Sequence, residues 1–191
     1  MTETYIVKTA AGLEQVLAAE IQGLGATGIR ELKRAVAFDG DRRLLYRANY
    51  ELRTALRVLI PIYSFSAYHE RDLYEGVRQV DWSQFMLVKD TLAVDSIAHG
   101  EVFRHSHYVG LLVKDAIVDQ FRERTNRRPD VNTGAPNLRV NVHVQGTRVE
   151  LAIDASGESL HRRNYRRDTV EAPLSEVLAA GMILLSGWKA D

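Results

Sequence analysis

Apolar residues recur along the chain in two rhythms, and the switches between them lay out the elements. Tyr5-Ile6-Val7 is a short apolar run that predicts a buried strand. From Leu13 onward, Val16, Leu17, Ala19, Ile21 and Leu24 fall at helical spacing and stop at Gly25. Ile29 to Phe38 reads as two short strands or one bent one, ending at the turn sequence Asp39-Gly40-Asp41. Leu44, Leu45, Ala48 and Leu52 predict a short helix with an arginine-rich outer face. Leu56 to Phe65 is β-branched and aromatic and predicts a strand. Pro61 within it points to an edge or a bulge, because proline brings no N–H to a ladder.

The order β-α-β-β-α-β over these first residues is the ferredoxin-like pattern. Beyond it, Asp72 followed by Glu75 resembles a capping box ahead of Leu73 and Val77. Thr91 to Ile97 alternates and predicts a strand. His105 to Arg124 carries the clearest helical stripe. Val109, Leu112, Val113, Ala116, Ile117 and Phe121 lie on it, while Lys114, Asp115, Asp119 and Gln120 lie off it. Pro129 ends that pattern. Arg139 to Gln145 alternates, with Val140, Val142 and Val144 inward and Arg139, Asn141 and His143 outward. Gly146-Thr147 fits a two-residue hairpin turn into a returning strand of Val149, Leu151 and Ile153. Residues 156–171 are polar without period and read as a connector. Pro173 suits a first helical position, ahead of Leu174, Val177, Leu178, Met182 and Leu185. Strands and helices intermix without a regular parallel βαβ rhythm, so the predicted class is α+β.

Charge changes the picture only once it is sorted by position. The 191 residues hold 25 Lys+Arg and 25 Asp+Glu, a net charge of zero. Residues 1–121 carry 14 basic and 16 acidic groups, residues 122–167 carry 10 and 5, and residues 168–191 carry 1 and 4. The three segments are therefore −2, +5 and −3, and every basic residue of the middle block is arginine. A local block of this kind matters more to a polyanion than the sum does.

Other chemistry is scarce. The absence of cysteine excludes disulfides, thiolate zinc sites and cysteine nucleophiles within these residues. No G-x-x-x-x-G-K-[ST] or G-x-G-x-x-G loop is present, and no G-x-S-x-G elbow. His105 and His107, two apart, do not share a helix face and read as surface residues rather than metal ligands. Asp115 and Asp119 read as solvated helix charges. The longest apolar runs, such as Met182 to Leu185, are too short to span a bilayer, and the start of the chain lacks a basic-then-apolar signal region. A cytoplasmic protein with no membrane partner is the expectation.

Three basic elements remain. Arg122, Arg124, Arg127 and Arg128 cluster at the end of the long helix and just after it. Cations there complement the helix dipole, but four exceed what capping requires, and guanidinium forks match phosphate oxygens. In Leu160-His161-Arg162-Arg163-Asn164-Tyr165-Arg166-Arg167, the ring residues offer stacking surfaces between arginines. The same segment also reads as a solvated linker, or as one docked on an acidic patch. Arg139, Asn141 and His143 form the third element, a polar strand face that is ordinarily just solvent-exposed.

These pieces occur in a telling order: Val113-Lys114-Asp115-Ala116-Ile117-Val118-Asp119, Arg128-Pro129, Leu138 to Val144, and Ser156-Gly157-Glu158-Ser159-Leu160-His161-Arg162-Arg163-Asn164-Tyr165-Arg166. The chain thereby resembles the N-terminal half of the THUMP-containing RNA guanine-N2-methyltransferases, bacterial enzymes that modify 23S rRNA. Two positions depart from that family. Asn164 stands where glycine is usual, and Asn137 where an aspartate is common.

The resemblance implies a ferredoxin-like domain over 1–66 and a THUMP domain over 67–155. A basic linker over 156–171 and the first helix of a Rossmann-like methyltransferase domain over 172–191 would follow. It implies structured RNA as partner, most directly 23S rRNA, and no DNA. The contacts would come from Lys114, Arg122, Arg124, Arg127, Arg128, Arg139, His161, Arg162, Arg163, Tyr165, Arg166 and Arg167. It also implies an S-adenosylmethionine-dependent parent enzyme whose cofactor loop and target-base motif lie past Asp191. Residues 1–191 are then expected to hold no cofactor and to be inactive alone. The alternatives are a tRNA-modifying THUMP enzyme and a stand-alone RNA-binding adaptor.

Overall fold

The computed structural model describes residues 2–163, 171 and 173–188. The chain divides into two compact units, Met1–Ile60 with Glu158–Asp191, and Pro61–Gly157.

The first unit is built from two interleaved βαβ halves: β1 (Glu3–Lys8), α1 (Glu14–Gly23), β2 (Thr27–Leu32), β3 (Ala35–Gly40), α2 (Arg42–Glu51) and β4 (Arg57–Ser66). The strand order is β2-β3-β1-β4 with antiparallel neighbours, the ferredoxin-like arrangement. Tyr5 faces Phe38 across β1 and β3, with ring centroids 5.5 Å apart. Val7, Leu17, Ile21, Val36, Ala48 and Val58 complete the core.

Residues 29–38 form two strands, and the turn between them falls at Lys33-Arg34, with Arg34 at φ 58°. The expected turn at Asp39-Gly40-Asp41 is not there. Gly40 stays in β3, and Asp41 caps α2 by accepting a hydrogen bond from the Leu44 N–H at 2.8 Å. A carboxylate placed before a helix satisfies donors that would otherwise lack partners. Pro61 lies two residues past the end of the β1 ladder, on a stretch of β4 that β1 does not pair. Pairing of β4 with β1 runs from Arg57 to Leu59, so the missing N–H costs that ladder nothing.

The chain returns to the first unit after Gly157. Leu160 N–H donates to the Leu56 carbonyl at 2.9 Å. α5 (Glu176–Leu185) buries Val177 and Gly181. A Cβ at Gly181 would lie 2.5 Å from Leu13 Cδ2, so glycine permits the close approach of α5 to the start of α1. Pro173 is not the first helical residue as expected. The helix begins at Glu176, behind the extended Ser175.

The second unit contains the rest of β4, α3 (Glu70–Arg78), a single 3-10 turn (Trp82–Gln84), β5 (Thr91–His99), α4 (Ser106–Thr125), β6 (Asp130–Val131), β7 (Leu138–Gln145) and β8 (Arg148–Asp154). Its strand order is β4-β8-β7-β5-β6. β5 runs parallel to β6 and β7, and β7 pairs antiparallel with β8 through the Gly146-Thr147 turn. β5, α4 and β7 therefore make one parallel crossover, a connection the irregular strand spacing did not announce. Leu73, Val77, Trp82, Val113, Ile117, Val140, Val142 and Leu151 are fully buried in one core.

Two local readings are corrected here. Asp72 is the third helical residue of α3, not its cap. His69 caps the helix, its Nδ1 accepting from the Asp72 N–H at 3.4 Å, while the Asp72 carboxylate reaches back to the Tyr68 N–H at 2.8 Å. Gln120 is not on the solvent side of α4 but buried. Its amide donates to the carbonyls of Arg78 and Val80 at 3.0 and 2.8 Å, and its oxygen accepts from the Trp82 N–H at 3.0 Å. A polar side chain can leave water when every one of its groups finds a partner, and these distant backbone groups supply them.

Candidate nucleic-acid interface

The second unit gathers most of its free basic groups at the C-terminal end of α4. The helix stops because Asn126 turns left-handed, at φ 55°, with its N–H returning to the Arg122 carbonyl at 2.8 Å. Asn tolerates that conformation better than other side-chain-bearing residues. The reversal sends Arg127 and Arg128 off the helix axis, and buried Pro129 then leads into β6 beside β5.

A cleft of about 270 Å³ opens between α4 and this returning segment. Val118, Pro129 and Val131 are its apolar lining, and Lys114, Arg122 and Arg128 bring cations to it. Asp115, Asp119 and Asp130 also line it, so the field inside is mixed. Some of those carboxylates are already occupied. Asp115 pairs with Lys114, and Asp119 accepts the Tyr74 hydroxyl at 2.8 Å. Burial, followed by that bond to a carboxylate, raises the Tyr74 phenol above its usual range and keeps it a donor.

Arg122, Arg127 and Arg128 are exposed, and their guanidinium groups have no partner among the described residues. Arg124 differs, being ion-paired with Asp81. The Ser83 hydroxyl and Arg124 together hold the Asp81 carboxyl down to about 2. Arg78 pairs with Glu123 and lies over the Tyr74 ring, 5.6 Å from its centroid, which ties α3 to α4.

Of Arg139, Asn141 and His143, only His143 keeps the solvent exposure expected of the three, its ring beside Glu150 at 3.5 Å. β7 lies between β5 and β8, and Asn141 is buried. The Arg139 side chain is only 11% exposed. It donates to both Asp95 oxygens at 3.1 and 3.2 Å and to the Thr133 carbonyl at 2.9 Å, so it pins the loop before β7. Asn137, the family departure, accepts from both the N–H and the hydroxyl of Thr91 at 2.9 Å. A carboxylate oxygen would take the same two bonds, so the replacement preserves this joint.

The basic linker is divided in the same way. Arg162 is exposed. His161 Nδ1 lies 2.7 Å from Ser159 Oγ. Arg163 donates to the carbonyls of Asn49, Tyr50, Leu52 and Leu160 at 2.6–3.1 Å, closing the end of α2. Asn164, Tyr165, Arg166 and Arg167 lie outside the described residues.

No group of three or more His, Asp or Glu among the described residues is arranged to hold a metal ion, and no helix among them is long and apolar enough to cross a membrane.

Comparison with known proteins bears on what the two units are similar to. The RlmL ferredoxin-like domain matches residues 4–59, and the THUMP domain matches residues 67–154. The "Putative RNA methyltransferase slr0064" of Synechocystis sp. is 38% identical over 190 residues, covering 100% of this chain and 50% of that protein. The chain therefore spans about half the length of the curated relative it matches. The crystal structure of a "predicted N6-adenine-specific DNA methylase" from Listeria monocytogenes superposes with a TM-score of 0.84 at 30% identity, covering 98% of this chain and 49% of that one. "SMU.472, a putative methyltransferase complexed with SAH" gives a TM-score of 0.82 at 27% identity, with the same coverage of 98% and 49%.

Proposed function

Since this chain belongs to the THUMP-domain RNA methyltransferase family, as its ferredoxin-like and THUMP portion, we propose that it binds structured RNA and positions it for methylation of a base. The observation that carries this reading is the trio Arg122, Arg127 and Arg128, unpartnered among the described residues, at the end of α4 in the THUMP unit. Side chains that stabilised only the fold would be expected to find acids, as Arg78, Arg124 and Arg139 have done.

The finer assignment is 23S rRNA, with the exocyclic amine of a guanine as acceptor. That amine is engaged in pairing within a duplex, so the catalytic domain must extrude the base locally. The THUMP unit then holds the RNA elsewhere through backbone and shape, fixing which guanine reaches the pocket. Adenosylmethionine supplies the methyl group in this scheme. In this reading the ferredoxin-like and THUMP units hold the RNA, and the catalytic domain of the parent enzyme carries out the transfer.

The test is filter binding of structured rRNA fragments to the chain and to the triple variant Arg122→Glu, Arg127→Glu, Arg128→Glu. A loss of tenfold or more supports the assignment. Unchanged affinity removes this surface from RNA binding. Labelled adenosylmethionine should leave no methyl group on RNA with this chain alone, and turnover would overturn the division of labour.

A further inference from the structure

α2 presents a face that the packing of the first unit does not use. Leu44, Leu45 and Ala48 point into the core. On the other side, Arg43, Tyr46 and Tyr50 follow at helical spacing, with Arg42 beside them. Tyr46 is 67% exposed and Tyr50 82%. Both rings sit in water on a fixed helix, one turn apart on the same side.

The charges are equally unexpected for a purely structural helix. The first turn holds Arg42 and Arg43 and no acid, the carboxylate that the helix dipole favours being Asp41 just before it, which is taken up by the Leu44 N–H. Neither guanidinium has an acidic partner among the described residues. Glu51 is the helix's only carboxylate, and Arg47 takes it at 2.7 Å. At the other end, Arg163 fixes the carbonyls of Asn49 and Tyr50, which brings the exposed Arg162 close to that helix end.

We propose that this face is a second RNA contact, reserved for an unpaired segment. Tyr46 and Tyr50 stack on bases while Arg42 and Arg43 hold the adjoining phosphates. It rests on RNA being the partner, as argued above. Every base offers a π-face to an aromatic ring, and every phosphate accepts a guanidinium fork. Bases already stacked within a duplex offer the rings no free face, so the two units divide the RNA between them. The α4 end grips structured RNA through phosphates, and α2 takes unpaired nucleotides.

The experiment uses the full chain with two probes, an unstructured 12-mer carrying 5-iodouridine and a blunt RNA hairpin. Tyr46→Ala with Tyr50→Ala should weaken the single-stranded probe at least about fivefold per ring, the low end of what base stacking contributes. Hairpin binding should stay within about twofold. Tyr46→Phe with Tyr50→Phe should bind like the wild type, because stacking needs the ring and not the hydroxyl. Photocrosslinks should map to Tyr46 or Tyr50. Both residues are exposed, so circular dichroism of the alanine pair should match the wild type.

Equal binding of the single-stranded probe by the alanine pair overturns the proposal. If the α4 triple reversal still abolishes hairpin binding in that case, the proposed function survives without it. Loss with the tyrosine pair but not with the α4 variant would place the failure in the α4 assignment instead. Displacement of the single-stranded probe by a polyglutamate peptide as readily as by RNA of equal charge would mark an acidic-peptide site and also overturn the proposal.

Discussion

Arg163 closes the end of a helix that precedes it by 111 residues, its Nη2 donating to the Leu52 carbonyl at 2.8 Å. Four carbonyls share this one guanidinium, three of them from the end of α2 and the turn after it. A residue that reads from its neighbours as a phosphate contact is a clamp within the first unit. Arg163→Ala should therefore cost about 2–3 kcal/mol in urea unfolding, the upper range for hydrogen bonds to a charged group. Arg163→Lys should recover only part of it, because one ammonium cannot reproduce the fork. A change below about 0.5 kcal/mol would show that the clamp is not holding the segment.

Gln120 is the corresponding joint of the second unit. Replacing it with leucine would leave the Trp82 N–H and the carbonyls of Arg78 and Val80 without their partner. The expected cost is about 2–4 kcal/mol, read from equilibrium unfolding followed by tryptophan emission. Asp119→Asn should cost less, since its Tyr74 bond lies at the partly buried rim and an amide oxygen can still accept it.

Both joints lie where the sequence was not legible, whereas the elements around them were. The apolar stripe of α4 predicted the helix within a residue at each end, because a 3.6-residue period is local information. The β-α-β-β-α-β order also led directly to the first unit's sheet. Alternation in β7 marked a strand, yet it said nothing about what covers the second face, so Arg139 and Asn141 were misplaced into solvent. Gln120 and Arg163 failed to announce themselves for a related reason. Their partners are backbone carbonyls about 40 and 110 residues away, and no spacing rule records such pairs. Arg122, Arg127 and Arg128 were legible because they cluster in sequence and stay where the helix end leaves them.

Acid should loosen the surface ties that Asp81 and Glu123 make to Arg124 and Arg78 in a defined window. The Asp81 carboxyl lies at about 2 in the folded chain against an ordinary 3.8, so its contribution is full above 3.8 and is lost as pH falls from there toward 2. Glu123, lowered by its bond to Arg78, carries the same sign below its ordinary 4.5. Arg124→Ala should raise the Asp81 value only part of the way, because the Ser83 hydroxyl is the larger cause and remains. NMR titration of the Asp81 carboxyl carbon reads this directly, and a full return to the ordinary value would contradict it.

The pair of Asp81 with Arg124 should also act as a brake on RNA binding. Asp81→Asn frees the Arg124 guanidinium beside three unpaired arginines and removes a nearby negative charge. Affinity for structured RNA should rise severalfold at low salt, and the gain should shrink as salt screens the surface. Weaker binding by Asp81→Asn would place Arg124 outside the interface.

The most direct test of the central claim is the dependence of RNA affinity on salt. Plotted as log affinity against log salt, each phosphate contact contributes a slope of about −0.7 to −0.9. Structured RNA should give a steep line with the wild-type chain. The variant Arg122→Glu, Arg127→Glu, Arg128→Glu should bind more weakly, with a slope shallower by about two to three units. Coincident lines for the two proteins would contradict an RNA interface at the end of α4.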